Sequence, residues 1–167
     1  MHYKNVAVLG DGGWGTTLAI LLQRKGCSVT LTSAFEKHAR LLDKTRVNSA
    51  FLKGIKIPKG IKITSDLSKV GEADIVIAAV PSPYLRQVLN KAKKDYLRDI
   101  PVISVIKGIE NNTLLRMSQV ITDVWRPRLT AVLSGPTIAQ EVVRGIPTTA
   151  VVSSKDEAFM ITVQDLF

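Results

Sequence analysis

The chain has 167 residues, of which 46% are hydrophobic and 22% are charged, and these values are typical of one globular domain rather than of a disordered chain. Its single cysteine, Cys27, excludes an internal disulfide, and its longest apolar runs are too short to cross a membrane, so that we expect a cytoplasmic protein. The net charge of +9 is spread over the chain without interleaved aromatic residues, which argues against a nucleic-acid partner and leaves a solvated basic surface or a field that attracts small phosphorylated ligands.

The first predicted elements are a strand, a glycine-rich loop and a helix. The apolar residues 6–9 precede the loop of residues 10–15, and an apolar helical pattern follows. Gly10 can form a tight turn, Gly12 lets a pyrophosphate approach the backbone, and Gly15 lets the helix pack close to the strand. The helix N-terminus also offers free N–H groups to an anion. This context favours a dinucleotide-binding loop over a plain strand-to-helix turn.

The second strand decides where the adenosine ribose of a dinucleotide would lie. The first helix is expected to end at Gly26 in a left-handed cap, and the strand follows over residues 27–32. An acidic residue after this strand usually binds the ribose of NAD, whereas a basic one binds the 2′-phosphate of NADP. Here the strand ends in Thr32-Ser33-Ala34, and either Glu36 or Lys37 could reach back. The choice between NAD and NADP stays open, with NAD slightly favoured.

The rest of the chain alternates predicted helices and strands. Five further strands are expected over residues 61–64, 74–80, 101–106, 129–133 and 148–153. The helices between them are expected to begin at polar capping residues, namely Asp66, Ser82 followed by Pro83, Thr113, and Ser154 with Glu157 as a capping box. Because strand–helix–strand units are parallel and right-handed, this order predicts an α/β, Rossmann-like, doubly wound fold: a mostly parallel sheet with helices on both faces.

Neither histidine indicates a metal site. His2 and His38 have no cluster of cysteines or carboxylates at ligand spacing, and we therefore expect no bound metal. Cys27 stands beside Val29 at the start of a predicted strand. We expect it to be a small buried hydrophobic residue rather than a reactive thiol.

Five segments, taken in order, cover nearly the whole chain. They are residues 10–19 (Gly-Asp-Gly-Gly-Trp-Gly-Thr-Thr-Leu-Ala), Asn48 with residues 51–54, residues 79–82, residues 106–110 and residues 134–142. Together they resemble the bacterial-type NAD(P)-dependent glycerol-3-phosphate dehydrogenases. The glycine loop alone would fit many dehydrogenases. The specific features are Trp14 after the loop, the Lys-Gly-Ile-Glu turn and the Ser-Gly-Pro segment.

The resemblance implies hydride transfer between NAD or NADP and a small phosphorylated substrate, which interconverts dihydroxyacetone phosphate and sn-glycerol 3-phosphate for glycerophospholipid synthesis. Lys107 is implied to be catalytic, by polarising the substrate oxygen. With the loop glycines, the expected cofactor-binding residues are Gly10, Gly12, Gly13, Trp14, Gly15, Ser33, Pro81, Lys107 and Ala139. The expected substrate-binding residues are Lys107, Gly135 and Thr137, where Thr137 stands in place of the more usual serine.

Two positions depart from the family pattern. Ala34 stands where a basic residue is frequent, so that nothing there holds a 2′-phosphate, and Phe51 stands where tyrosine is common. Members of the family continue into an all-helical domain that supplies a second lysine and an Arg-Asn pair. Residues 1–153 are therefore expected to form an NAD(P)-binding Rossmann domain, and residues 154–167 to begin a connecting helix.

The resemblance to this family also implies how the chain behaves by itself. It is expected to bind a dinucleotide weakly and to turn over substrate poorly, while the full-length protein is expected to be a homodimer. Two alternatives remain open. One is a related β-hydroxyacid-type dehydrogenase with another small acid as substrate, and the other is a stand-alone dinucleotide-binding module.

Overall fold

A seven-stranded sheet organises the protein in the computed structural model, which describes residues 3–96 and 99–167. The strands are β1 (Asn5–Leu9), β2 (Ser28–Thr32), β3 (Lys62–Thr64), β4 (Ile75–Ala78), β5 (Val102–Ser104), β6 (Thr130–Ser134) and β7 (Val151–Ser154). Their order across the sheet is β3-β2-β1-β4-β5-β6-β7, and β7 runs antiparallel to β6 while the other neighbouring pairs are parallel. The predicted mostly parallel, doubly wound α/β fold is confirmed.

Helices connect the strands and cover both faces of the sheet. They are α1 (Gly13–Arg24), α2 (Glu36–Thr45), α3 (Leu85–Ala92), α4 (Met117–Val124), α5 (Ala139–Val142) and α6 (Glu157–Leu166), with 3-10 helices over Leu67–Glu72 and Ser82–Tyr84. None of the helices in the described part of the chain has both the length and the apolar character that a membrane crossing requires.

Strand β4 illustrates why the apolar runs lack alternation. Ile75 and Ile77 pack in one hydrophobic cluster with residues of α1 and α6, whereas Val76 and Ala78 pack in a second cluster with residues of α3 and α4. All four side chains are fully buried. A parallel strand that is covered on both faces needs apolar residues at every position. Cys27 is likewise buried, as expected, and burial raises the pKa of its thiol.

The strand order contains a topological switch point between β1 and β4. From β1 the chain moves outward through β2 to β3, and from β4 it moves outward in the other direction through β5 to β6. The connections that leave β1 and β4 therefore lie on opposite faces, and a crevice opens between them at the carboxyl ends of the strands. This is the place where open α/β sheets bind ligands.

Local caps were predicted correctly at two helix ends. Gly26 follows α1 with φ of +92°, and its neighbour Cys27 donates its N–H to the Leu22 carbonyl at 3.0 Å. This is the left-handed cap that glycine favours. Asp66 caps the 3-10 helix that follows it, because its carboxylate accepts the Ser68 N–H at 3.0 Å.

The prediction that Thr113 caps a helix was wrong. Leu114 has φ of +56°, which no helix accommodates, and α4 begins only at Met117. The Thr113 hydroxyl instead donates to the Glu110 carboxylate and accepts the Leu115 N–H. At the actual start of α4, the Gln119 side chain accepts the backbone N–H of Arg116 at 2.9 Å.

Two other helix starts also differ from the sequence prediction. Ser82 makes no capping bond, and its segment first forms a 3-10 helix before α3 begins. Ser154 lies at the end of β7, where its hydroxyl donates to the Thr130 carbonyl of β6 at 2.9 Å. Asp156 is the residue that caps α6, by accepting the Phe159 N–H at 2.8 Å.

The substitution Asp156→Ala is expected to lower the free energy of unfolding by about 1 kcal/mol, because the first turn of α6 loses its capping acceptor. Glu157→Ala serves as the control and should have a smaller effect, since Glu157 contributes only its charge near the helix N-terminus. Urea denaturation measures both changes. A larger loss for Glu157→Ala would favour the capping box predicted from the sequence.

Candidate functional site

The site residues predicted from the sequence lie along the carboxyl edge of the parallel strands. They follow five of the strands, with residues 10–15 after β1, Ser33 after β2, Pro81 after β4, Lys107 after β5, and Gly135, Thr137 and Ala139 after β6. Because parallel strands all end at the same edge, residues that are far apart in sequence meet there. The residues that follow β1 and β4 border the crevice at the switch point.

The glycine loop turns sharply and brings α1 close to β1. Gly10 has φ of +117°, and a Cβ atom there would lie 2.7 Å from the Ala79 carbonyl oxygen. A Cβ on Gly15 would lie only 2.0 Å from the Gly10 carbonyl oxygen. A side chain at either position would therefore force the loop apart. These contacts explain the tight turn and the close helix packing that the sequence pattern indicated.

The same loop leaves polar backbone groups facing open space. The first helical hydrogen bond of α1 runs from the Thr16 N–H to the Gly12 carbonyl at 2.9 Å, so that the N–H groups before Thr16 are not used by the helix. A Cβ on Gly12 would meet nothing within 4 Å. The loop thus offers N–H groups that the helix does not use at the positive end of a helix dipole, with open space at Gly12, which is an arrangement suited to an anion.

Helix α5 is fixed beside α1 by two side chains. The Thr17 hydroxyl donates to the Ala139 carbonyl at 3.2 Å, and the Arg24 guanidinium donates to the Val143 carbonyl at 2.9 Å. Ala139 is thereby held next to the helix that the glycine loop opens. Trp14, at the start of α1, is partly buried against the hydrophobic cluster that contains Ile75 and Ile77. Packing in this cluster therefore covers part of its side chain.

At the end of β2 the side chain of Ser33 is buried, and its hydroxyl forms hydrogen bonds with nearby backbone. Its hydroxyl lies 3.3 Å from both the N–H and the carbonyl oxygen of Phe35, and its own N–H donates to the Thr64 carbonyl. Glu36 and Lys37 are both exposed at the start of α2, where the Glu36 carboxylate pairs with Arg40 one turn further along the helix.

A second acidic group, Asp11, reaches this end of the crevice from the glycine loop. Asp11 Oδ2 lies 2.7 Å from His38 Nδ1 on α2, and both side chains are partly buried. Sequence reasoning missed this pair, because the two residues are 27 positions apart and no local pattern connects them. No group of three or more metal-ligating residues forms within residues 3–96 and 99–167, and His2 lies outside the described residues.

Lys107 lies at the opposite side of the crevice. It is exposed at the carboxyl end of β5, and its Nζ atom lies 3.5 Å from the Thr137 carbonyl oxygen, to which it donates. The next residue, Gly108, has φ of +119° and turns the chain back. Lys107 and Thr137, 30 residues apart, therefore lie next to each other at this edge of the sheet.

The segment that contains Gly135 approaches the chain before β7 closely. A Cβ on Gly135 would lie 2.7 Å from the Thr149 carbonyl oxygen, so that a side chain there would collide with backbone. The Thr137 N–H donates to the Gly135 carbonyl at 2.8 Å, which closes a tight turn. Pro81 is exposed at the end of β4, where it precedes the 3-10 helix.

An ion-pair network holds the turn that follows Lys107. Arg86 of α3 binds both oxygens of Glu110, at 2.8 and 2.9 Å, and also pairs with Asp123 of α4 at 2.5 Å. Hydrogen bonds from Arg86 and then Thr113 lower the pKa of Glu110, and the bond to Glu110 raises the pKa of Arg86. A two-pronged arginine–carboxylate bond fixes geometry as well as charge. It therefore anchors the Lys107 turn to both helices.

The chain is similar to known proteins over nearly its whole length. Residues 5–160 match the family described as the N-terminus of NAD-dependent glycerol-3-phosphate dehydrogenase. The chain is 44% identical to the NAD(P)+-type glycerol-3-phosphate dehydrogenase of Syntrophomonas wolfei and 40% identical to that of Fusobacterium nucleatum. Both alignments cover 97% of this chain but only 48% and 49% of those proteins. The chain thus spans about half the length of the curated relatives it matches.

Solved structures give the same picture of the fold. A crystal structure of glycerol-3-phosphate dehydrogenase from Coxiella burnetii matches with a TM-score of 0.91 at 27% identity, over 99% of this chain and 51% of that one. A UDP-D-ManNAc dehydrogenase from Pyrococcus horikoshii matches with a TM-score of 0.78 at 15% identity, over 97% of this chain and 44% of that one. This second likeness shows the fold alone.

The substitution Glu110→Gln is expected to destabilise the protein most at neutral pH. Because the pKa of Glu110 is lowered on folding, the carboxylate contributes stability above its ordinary pKa, and this contribution is lost as the pH falls through the lowered pKa. The difference in free energy of unfolding between wild type and variant should therefore shrink towards acid. Urea denaturation at a series of pH values measures it.

Glu72→Gln is the matched control for this pH series. Glu72 also forms an ion pair, with Lys69, but both side chains are well exposed. Exposed ion pairs contribute little to stability because water and salt screen them, and we expect a small loss for this variant. A loss for Glu110→Gln that is no larger, or that is independent of pH, would contradict the anchoring function of the Arg86 network.

Proposed function

We propose that this chain, which belongs to the NAD-dependent glycerol-3-phosphate dehydrogenase family, forms the dinucleotide-binding part of an enzyme that interconverts dihydroxyacetone phosphate and sn-glycerol 3-phosphate. The observation that carries the proposal is the meeting of Lys107 with the Thr137 segment across the crevice from the glycine loop. A bound nicotinamide would supply or accept the hydride. The residues of the chain then have to bind the cofactor, orient the substrate and stabilise charge on its oxygen.

The cofactor residues in this proposal lie on the β1 side of the crevice. The backbone N–H groups of residues 12–15 bind the pyrophosphate, and the open space in front of Gly12 admits it. Trp14, at the start of α1, is partly exposed, and Ala139 is held against α1 through Thr17. Both residues therefore lie at or beside the glycine loop. Ser33 and Pro81 border the crevice at the ends of their strands.

The charge distribution at the ribose end supports NAD over NADP. Ala34 is exposed and has no cationic side chain, and Asp11 places a carboxylate beside His38. A carboxylate accepts hydrogen bonds from ribose hydroxyls but repels a 2′-phosphate. Calorimetric titration of the wild-type chain with NADH and NADPH compares the two affinities directly.

Lys107 is the residue that we assign to the chemistry. Its ammonium group is exposed at the crevice, and among residues 3–96 and 99–167 it makes only a long bond to a neutral carbonyl oxygen, so that it is available to a substrate. A positive charge near the C2 oxygen of the substrate stabilises the negative charge that develops there during reduction. Gly135 and Thr137 form the adjacent tight turn, and we assign them to substrate binding.

The remaining expectations stay predictions. They concern the division at residue 153 between a cofactor-binding domain and a connecting helix, a homodimeric full-length protein, the absence of a nucleic-acid partner and a cytoplasmic location. Another small hydroxy acid as substrate and a stand-alone binding module are the competing functions. Titration and turnover experiments distinguish them.

Gly12→Ala is expected to leave folding intact and to weaken NADH binding. The added methyl group meets nothing within 4 Å in the protein, yet it occupies the space through which a pyrophosphate reaches the loop. We expect the dissociation constant to rise at least about tenfold, which corresponds to about 1.4 kcal/mol. Calorimetry measures the affinity, and thermal unfolding checks the fold. An unchanged dissociation constant would contradict this placement of the pyrophosphate.

In the full-length protein, Lys107→Gln is expected to lower the rate of NADH oxidation by dihydroxyacetone phosphate by about a hundredfold, the typical effect of removing one group that stabilises a developing oxyanion. Lys91→Gln on the exposed side of α3 is the matched control and should keep the wild-type rate. NADH absorbance follows the reaction. Equal rates for both variants would refute the catalytic assignment, and turnover of only another hydroxy acid would refute the substrate.

A further inference from the structure

Asn48 is a fully buried polar residue in the loop between α2 and β3. It follows Val47, whose antiparallel bridge to Lys56 closes the base of this loop. Buried amide groups normally have hydrogen-bond partners, so that the contacts of Asn48 indicate what the residue does.

Both amide hydrogens of Asn48 are used on the glycine loop and the start of α1. Asn48 Nδ2 donates to the Asp11 carbonyl at 2.8 Å and to the Thr16 hydroxyl at 2.9 Å. The Thr16 hydroxyl in turn donates to the same Asp11 carbonyl at 3.2 Å. These three groups close a triangle across the two ends of the loop, with residues 12–15 between them.

The orientation of the Asp11 carbonyl controls the next N–H group. The carbonyl of Asp11 and the N–H of Gly12 belong to one planar trans peptide, in which they point in opposite directions. Asn48 and Thr16 hold the carbonyl towards the protein interior, where both residues are fully buried. The Gly12 N–H must therefore point away from the interior, towards the open side of the loop.

The backbone around Asn48 helps to hold its side chain in this triangle of hydrogen bonds. The Asn48 carbonyl accepts the N–H groups of Phe51 and Leu52, at 3.3 and 2.8 Å, and Leu52 is fully buried in the core. The Phe51 carbonyl oxygen would lie 2.8 Å from a Cβ on Gly13. We call residues 48–53 the strap, because this segment lies against the glycine loop from Asp11 to Gly13.

The far end of the strap contacts α5, which is fixed beside α1. Gln140 Nε2 donates to the Lys53 carbonyl at 3.5 Å, and Gln140 follows Ala139 at the start of α5. Asn48 Oδ1 and Gln140 Oε1 are both buried without a hydrogen-bond partner among residues 3–96 and 99–167. Burying an unpaired oxygen destabilises a fold. The donors of Asn48, and not its acceptor, therefore explain why an amide occupies this position.

We propose that Asn48 is a positioning residue of the dinucleotide site, which holds the Asp11 peptide so that the N–H groups of the glycine loop face the pyrophosphate. The inference rests on the proposed function, because it requires a dinucleotide at the loop. Asn48 itself touches no ligand. It acts through Asp11 and Thr16, and the strap transmits its position to the α5 side of the crevice.

Asn48→Asp tests the proposal, because it keeps the size of the side chain and removes both donors when the introduced carboxyl group is ionised. At neutral pH we expect the NADH dissociation constant to rise at least about tenfold, as for the loss of one or two hydrogen bonds. Lowering the pH should restore part of the affinity, because a protonated carboxyl group donates again. Calorimetry on folded protein over a pH series measures both effects.

Two controls separate positioning from stability and charge. Ile121→Ala lies in the hydrophobic cluster of α3 and α4. It should lower the melting temperature without changing the NADH dissociation constant of the folded protein. Asn90→Asp makes the same chemical change at an exposed site on α3 and should leave NADH affinity and its pH profile unchanged. If Asn48→Asp does not fold, Thr16→Val tests the same triangle with a side chain of nearly equal shape.

The outcomes distinguish this inference from the function on which it rests. Wild-type chain that does not bind NADH refutes the proposed function and the inference together. Wild-type chain that binds NADH, with a folded Asn48→Asp or Thr16→Val variant of equal affinity, refutes the inference alone. Weaker NADH binding by each variant supports the inference when the combined Asn48→Asp and Thr16→Val variant loses less or more binding free energy than the sum of the two single losses. Residues that share one hydrogen-bond network are coupled in this way.

Discussion

One close contact determines the geometry of this protein, namely the approach of Gly15 to the carbonyl of Gly10. A single methyl group at Gly15 would lie 2.0 Å from that oxygen. Its absence lets α1 begin directly above the end of β1, in the middle of the sheet and beside the switch point to β4. The helix N-terminus and its unused N–H groups are thereby placed at the crevice, and the other walls of the site are arranged around them.

The glycine loop is nevertheless not rigid by its own sequence, because glycine permits many backbone conformations. Side chains from other parts of the chain restrict it. His38 binds the Asp11 carboxylate, Asn48 binds the Asp11 carbonyl, and Thr17 ties α1 to Ala139. These contacts join the loop, α2, the strap and α5 into one hydrogen-bonded unit. The freedom that glycine needs for the tight turn is thus compensated by tertiary contacts.

The other wall of the crevice is held by charge. Arg86 binds Glu110 and Asp123, and this network fixes the turn that follows Lys107 to α3 and α4. The two walls meet where the Lys107 ammonium approaches the Thr137 carbonyl. A lysine that is anchored through its neighbouring turn, and not through its own ammonium group, keeps its charge available for a ligand.

The sequence by itself determined the seven strands along the chain, the mostly parallel sheet and the glycine loop, because apolar runs and glycine sterics act over a few neighbouring residues. It also located Lys107 and Thr137 at one edge, since parallel strands end together. Only the tertiary structure decided which polar groups pair. Thr113 and Ser154 resemble helix caps locally, yet their hydroxyls bind Glu110 and a neighbouring strand. Hydrogen bonds between residues far apart depend on how the intervening chain folds, and no local pattern encodes them.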